Sequence, residues 1–332
     1  MRRCVSLFAP KGEAERMRIE LRPLSAGEVL DRTFQLYRAR FGMFVGIATV
    51  AAAIETAGSA LQSIGGHWIL AHHRSSRIVA IWGSFSTLIG IGITLLSLSV
   101  VFAAITRAVI ALHREESSGI AQAYREVWPR WFRFVRLSVA SGFLSLWPLL
   151  LAMGMLVGEI ALAPKYRTAQ GAGLLTAAFG FTALEFLVAI PACVWLVCRY
   201  ALCVAACVNE GTTVGRSLKR SVELSKDLRG RVFLLLLLIY IIQIIFSGTL
   251  IAPTLAILAR SRGHVPLGVT IYQLTIGFIA SSLTTPIYAI GLTVIYLDAR
   301  IRKEGYDIEL MMQGAGRTPG PLAGESTGLS PG

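Results

Sequence analysis

Three acidic side chains, Glu55, Glu159 and Glu185, interrupt the long apolar stretches of this chain, and no other charged residue lies inside them. A carboxylate in hydrocarbon is costly unless it is protonated, paired or facing water, so it marks a functional site by default. At about 1.5 Å per helical residue, Glu55 and Glu185 both lie roughly 20 Å inside their stretches, with no Lys or Arg at that depth. Together they are the candidate site for a proton or small substrate crossing a membrane. Glu159 falls near the far end of its stretch, where water reaches it. The plainer reading of each is a protonated acid making one interhelical hydrogen bond, worth only about 0.6 kcal/mol.

Other chemistries find no support in the residues. The pairs His73-Arg74 and His113-Arg114 lie in short connections without clustered carboxylates to hold a metal or move a proton. No phosphate loop, nucleophile elbow or HExxH is present. His67, His72 and His73 have few neighbours able to complete a metal site. Cys193, Cys198, Cys203 and Cys207 include no C-x-x-C pair and read, with the remote Cys4, as buried apolar side chains and not as a disulfide framework or zinc site. No metal, cofactor or catalytic residue is expected.

The elements that must position the carboxylates are membrane spans. The chain is 54% hydrophobic and 15% charged, with a mean hydropathy of +0.63, far from the roughly one-quarter charged residues of a soluble domain. Apolar runs at about 42–64, 78–106, 137–162, 173–198, 232–258 and 267–297 each pass the length needed to span. The net charge of +13 is not a nucleic-acid signal, because it is segregated. Twenty-six of the 32 Lys and Arg fall before the first span, in alternate connections and after the last, and six in the connections between. The positive-inside rule then puts both termini in the cytoplasm.

The basic segments carry a pattern of their own. Gly211–Leu238 runs from GTTVGRSLKRSVELSKDLRGR directly into VFLLLLL, a cationic amphipathic helix feeding a span. At a period of 94 residues Ala26, Ile120 and Val214 align, as do Leu30, Tyr124 and Leu218, and Phe34, Trp128 and Val222. Spacing of four holds each set on one helical face, giving a threefold repeat of one surface helix plus two spans. Ser25 and Glu28 form a capping box for the first of these helices. Pro129 should break the second, leaving Trp128, Trp131 and Phe132 as an aromatic anchor at headgroup level. In the third, Arg216, Lys219, Arg220 and Lys226 face anionic headgroups while Val214, Leu218 and Val222 face acyl chains. The competing reading packs this helix on the bundle's own ends, since Ser221 and Ser225 interrupt its apolar face. Arg107 and Arg199 close the second and fourth spans with apolar residues after them, so those helices should run on below the membrane. Pro191 and Pro286 fall inside spans, where neighbours can satisfy a freed carbonyl.

Three stretches carry a family resemblance: LRPLSAGEVLDRTFQLYRARF at Leu21–Phe41, NEG followed by RSLKRSVELSK at Asn209–Lys226, and IYLDARIRKEGYDIELM at Ile295–Met311. In these the chain resembles the glycerophosphoryl diester phosphodiesterase membrane-domain family of bacterial integral membrane proteins, over about residues 18 to 312. It lacks the family's proline between Arg199 and Glu210. The resemblance implies a six-helix membrane module, with Arg199, Glu210, Asp298, Arg300, Arg302, Glu304 and Gly305 as motif positions. In some relatives that module is joined to a phosphodiesterase barrel. Such a barrel needs about 250 residues, and the longest stretch outside the spans here is residues 1–41, so no enzyme is expected.

The sequence therefore predicts an all-α integral membrane domain over 18–312, with disordered ends at 1–17 and 313–332. Its expected place is the bacterial inner membrane. The leading function is a non-catalytic module that organises anionic lipid or a membrane-protein partner through its cytoplasmic helices. The alternative is a small transporter built on Glu55 and Glu185.

Overall fold

The computed structural model describes residues 25–72, 76–113, 119–162, 169–260 and 267–304. Among them the chain is helical throughout: α1 (Ala26–Ala39), α2 (Phe41–His72), α3 (Ser76–His113), α4 (Ile120–Val127), α5 (Trp131–Leu162), α6 (Ala169–Tyr200), α7 (Cys203–Glu210), α8 (Val214–Ser225), α9 (Arg229–Arg260) and α10 (Leu267–Glu304). Six of these helices are long and apolar enough to cross a membrane. Those six coincide with the six predicted spans, so the protein is an all-helical, multi-pass membrane protein. The disorder expected at both ends, Cys4 and Gly305 lie outside the described residues.

Length explains what the long helices do beyond hydrocarbon. α3 and α10 have 38 residues each, about 57 Å at the helical rise, against a hydrocarbon thickness of about 30 Å. They therefore continue as helix past the apolar run. Arg107 sits within this extension of α3 and binds Glu126 of α4. α6 instead ends at Tyr200, and α7 continues its course to Gly211. Gly211 closes α7 in the left-handed region (φ 64°), its N–H donating to the Cys207 carbonyl at 3.0 Å. A residue with a Cβ is strained there, which makes glycine the natural stop.

Ser25 caps α1 as expected: its hydroxyl accepts from the Glu28 N–H, and Glu28 accepts from the Ser25 N–H at 2.6 Å. Pro129 ends α4 at Val127 in a 3-10 turn, Trp128–Arg130, with Trp128, Trp131 and Phe132 exposed and their rings in contact. Pro148, Pro191, Pro253 and Pro286 all lie inside continuous helices.

Consecutive long helices pair as hairpins, α2 with α3, α5 with α6 and α9 with α10. α10 lies against α2, α3 and α9, and it is enclosed through its second half, from Thr284 to Ala299. At Gly291 a Cβ would meet the buried Leu235 of α9 at 2.7 Å. By contrast, the α5–α6 hairpin exposes large apolar residues such as Phe143, Leu151, Phe181 and Leu187, the surface a bilayer would cover.

α1, α4 and α8 each precede a hairpin, at the places the 94-residue register gives. Their most buried face is displaced by one residue from the sets read in the sequence. Val29 and Thr33 are buried in α1, Ala123 and Val127 in α4, and Ser217 and Ser221 in α8, again at intervals of 94. Ala26, Leu30 and Phe34 with their counterparts are half-buried or exposed. The displacement follows from size: small side chains let a helix approach its neighbours closely, while larger apolar ones fill the flanks. In α8 the packed face is therefore the serine row Ser217, Ser221 and Ser225, with Val214 and Leu218 beside the core.

Candidate functional site

Two polar regions stand out, one inside the apolar zone and one at the end where the basic residues collect. Inside, Glu55 on α2 joins three helices. Its Oε1 accepts from Ser97 Oγ of α3 at 2.8 Å and its Oε2 from Ser281 Oγ of α10 at 3.3 Å. Both oxygens thus act as acceptors, which ties α2 to α3 and α10 through one side chain. Beside it a crevice of about 360 Å³ runs between α2 and α10, lined by Glu55, Thr56, Ser59 and Ser63 on one side and Thr270, Gln273 and Ser281 on the other. These polar groups, with one carboxylate, alternate with Ala52, Leu274, Gly277 and Phe278, a mixed lining suited to a hydrated cation, a proton or a small polar molecule. Gln62 extends the polar row by donating to Ser86 Oγ at 3.3 Å.

Glu185 does not share this crevice. It lies on α6, where its Oε2 is buried without a hydrogen-bond partner. One turn earlier, Thr182 Oγ1 donates to Glu159 Oε1 of α5 at 2.6 Å. The two mid-depth carboxylates therefore belong to different places in the bundle, Glu55 among α2, α3 and α10 and Glu185 on the α5–α6 hairpin.

At the basic end the motif residues interlock. Glu210 at the end of α7 accepts from Arg220 Nε of α8 at 3.1 Å and from the Tyr296 hydroxyl of α10 at 3.0 Å. Asn209 donates to that same hydroxyl at 3.1 Å. Arg220 also binds Glu304, which accepts from Arg300 Nε at 2.9 Å. Deeper, the fully buried Asp298 carboxylate takes Arg231 at 2.5 Å and Arg302 at 2.9 Å. Lys303 meets Asp227 at 3.0 Å, and that contact holds the exposed Asp227 carboxyl below its usual range. Ser221 and Ser225 of α8 donate to the Arg199 carbonyl at 3.0 and 3.2 Å. Six of the seven motif positions are thus placed: Glu210, Arg300 and Glu304 in one cluster, Asp298 and Arg302 in the next, and Arg199 under α8.

The four cations read as headgroup contacts divide. Arg216, Lys219 and Lys226 are exposed, while Arg220 is half-buried among Glu210, Glu223 and Glu304. Sequence reasoning missed Ser97, Ser281, Tyr296 and Arg231 as partners. It also passed over a legible signal: Glu116, Glu210 and Glu304 stand 94 apart, the last two at the ends of α7 and α10. Glu116 itself lies outside the described residues. Cys193, Cys198, Cys203 and Cys207 are buried and free, and no group of metal-ligating side chains occurs among the described residues.

Nothing among the protein-family models, the curated proteins or the solved structures matches the chain. The class is set by the helices themselves: with six among the described residues long and apolar enough to cross a membrane, this is a multi-pass membrane protein.

Proposed function

We propose that this protein is a non-catalytic module of the bacterial inner membrane, with both termini cytoplasmic, that organises anionic lipid or a partner membrane protein through its basic face. The reading includes membership of the glycerophosphoryl diester phosphodiesterase membrane-domain family, on the three stretches already quoted. It also includes a threefold repeat of a short helix plus a hairpin, which the common burial register of α1, α4 and α8 supports. The observation that carries the function is α8: one face is locked to the bundle by buried serines, and the other holds Arg216, Lys219 and Lys226 out. A rigid cationic face costs little ordering on contact with an anionic leaflet, where each basic residue contributes about 1 kcal/mol. The test is melting of the full chain in detergent with added phosphatidylglycerol or phosphatidylcholine, at low and high salt. Stabilisation by phosphatidylglycerol that fades with salt and with Arg216→Gln/Lys219→Gln/Lys226→Gln supports the reading. Equal stabilisation by the two lipids at all salt concentrations refutes it.

The crevice at Glu55 favours a second reading, a small transporter. Because the crevice is lined by Glu55 and not by Glu185, this reading rests on Glu55 with Ser97 and Ser281. Uptake of a cation or proton by liposomes holding the full chain, lost in Glu55→Gln, would establish it, and silent liposomes would set it aside.

A further inference from the structure

A second cationic feature lies at the basic end, apart from the ion-pair clusters. Arg199, at the end of α6, holds its guanidinium carbon 5.3 Å from the Trp195 ring centre, and Arg229, the first residue of α9, holds its own at 5.0 Å from the same ring. Two cations gathered around one indole repel each other, whereas Arg231 and Arg302 share Asp298 and Arg220 and Arg300 share Glu304. Here no carboxylate intervenes. Neither guanidinium has a salt bridge among the described residues, and both Nε–H groups are buried without an acceptor. Asp227 lies close enough to feel Arg229, but it is exposed and bound to Lys303 at 3.0 Å. Arg229 also stands at a helix N-terminus, where the backbone dipole adds positive potential and disfavours a bare cation. The indole contacts, and that of Arg199 with the Tyr200 ring at 5.8 Å, attract each cation singly, but the mutual repulsion and the unpartnered Nε–H groups are relieved only when an anion binds the two guanidinium groups.

The surroundings define that anion's shape. From Trp195 toward mid-bilayer, α6 exposes Leu187, Val188 and Ile190, at 57–70%. α9 leaves Arg229 with exposed Phe233 and Leu237. A ligand with a phosphodiester at the arginines and hydrocarbon along these strips satisfies both surfaces. We infer that Trp195, Arg199 and Arg229 form a binding site for the headgroup of one anionic glycerophospholipid, its acyl chains lying on the exposed faces of α6 and α9. The guanidinium forks suit bidentate contact with phosphate oxygens, while Trp195 anchors the glycerol level. This deepens the proposed lipid-organising role by giving it a defined seat distinct from the exposed cations of α8.

The test is native mass spectrometry of the purified full chain, titrated with phosphatidylglycerol, phosphatidylcholine or inorganic phosphate. Wild type should hold one phosphatidylglycerol more tightly than the rest, and Arg199→Gln/Arg229→Gln should weaken that first binding by roughly tenfold or more. Arg125→Gln, at an exposed cation of α4 outside both sets of lipid contacts, should leave it within about twofold. Inorganic phosphate at millimolar concentration should not displace the lipid. Unchanged first binding in the Arg199/Arg229 variant overturns the site; if Arg216→Gln/Lys219→Gln/Lys226→Gln weakens that first binding instead, the general lipid role survives without this seat. Full displacement by phosphate also overturns it, in favour of a free-anion site. No preference for phosphatidylglycerol in wild type removes both proposals. Should the double variant fail to assemble, Arg229→Gln alone carries the test, with about fivefold weakening expected and no weakening decisive against.

Discussion

The Asp298 carboxylate, with no exposed side-chain surface, receives the Arg231 guanidinium at 2.5 Å and so fastens the end of α10 to the start of α9. Arg302 closes the other side at 2.9 Å. Removing one member of a buried pair leaves an uncompensated charge, typically at a cost of about 3–5 kcal/mol. Asp298→Ala should therefore lower the melting temperature of the detergent-solubilised protein sharply. Arg231→Met/Asp298→Leu should recover much of the loss, as it removes the buried pair while Arg302, 30% exposed, can turn to water. A double variant no better than Asp298→Ala would show that the pair does more than neutralise itself.

Gly291 offers a second test of packing. Its missing Cβ faces the buried Leu235 side chain at 2.7 Å, and Leu235 has no exposed surface into which to retreat. Gly291→Val should cost about 1–3 kcal/mol by overpacking, and Gly291→Val/Leu235→Ala should be milder than Gly291→Val alone. Thermal unfolding of both variants decides it.

The isolated acid on α6 should be dispensable for assembly. Glu185 has an oxygen buried without a partner, so Glu185→Gln removes no hydrogen bond there, and yield and melting temperature should stay within experimental scatter of wild type. Severe loss of assembly would mean that Glu185 is ionised and paired.

Orientation is accessible by cysteine labelling in intact cells, against a native background in which Cys193, Cys198, Cys203 and Cys207 are buried. Thiols introduced near His72, Lys165 and Arg262 should react with an impermeant reagent, and those near Arg125, Lys226 and Arg302 should not. Reaction of the second set would reverse the proposed orientation.

What could be read from the sequence follows the range of the forces involved. The six spans were legible because twenty apolar residues in a row have one stable outcome in hydrocarbon, whatever they pack against. The capping box at Ser25 and the break at Pro129 are local chemistry, legible for the same reason. In α8, Val214, Leu218 and Val222 were expected on acyl chains, whereas Val214 and Leu218 pack beside the core. Hydrophobicity alone pointed to Val214, Leu218 and Val222, whereas close packing selected Ser217, Ser221 and Ser225 for their small size. The hydroxyls on Glu55 come from 42 and 226 residues away. No local pattern could announce them. The expectation that Glu55 and Glu185 share a depth carried no information on azimuth, and azimuth is what separates them.

The central claim is that the basic face gathers anionic lipid. The most direct measurement is the lipid composition carried by the full chain when a styrene–maleic acid polymer extracts it from its own membrane without detergent. The proposal predicts phosphatidylglycerol and cardiolipin enriched over the surrounding bilayer, with the enrichment reduced when Arg199, Arg216, Lys219, Lys226 and Arg229 are replaced by glutamine. A lipid shell of the same composition as the bulk membrane, in wild type and variant alike, would contradict it.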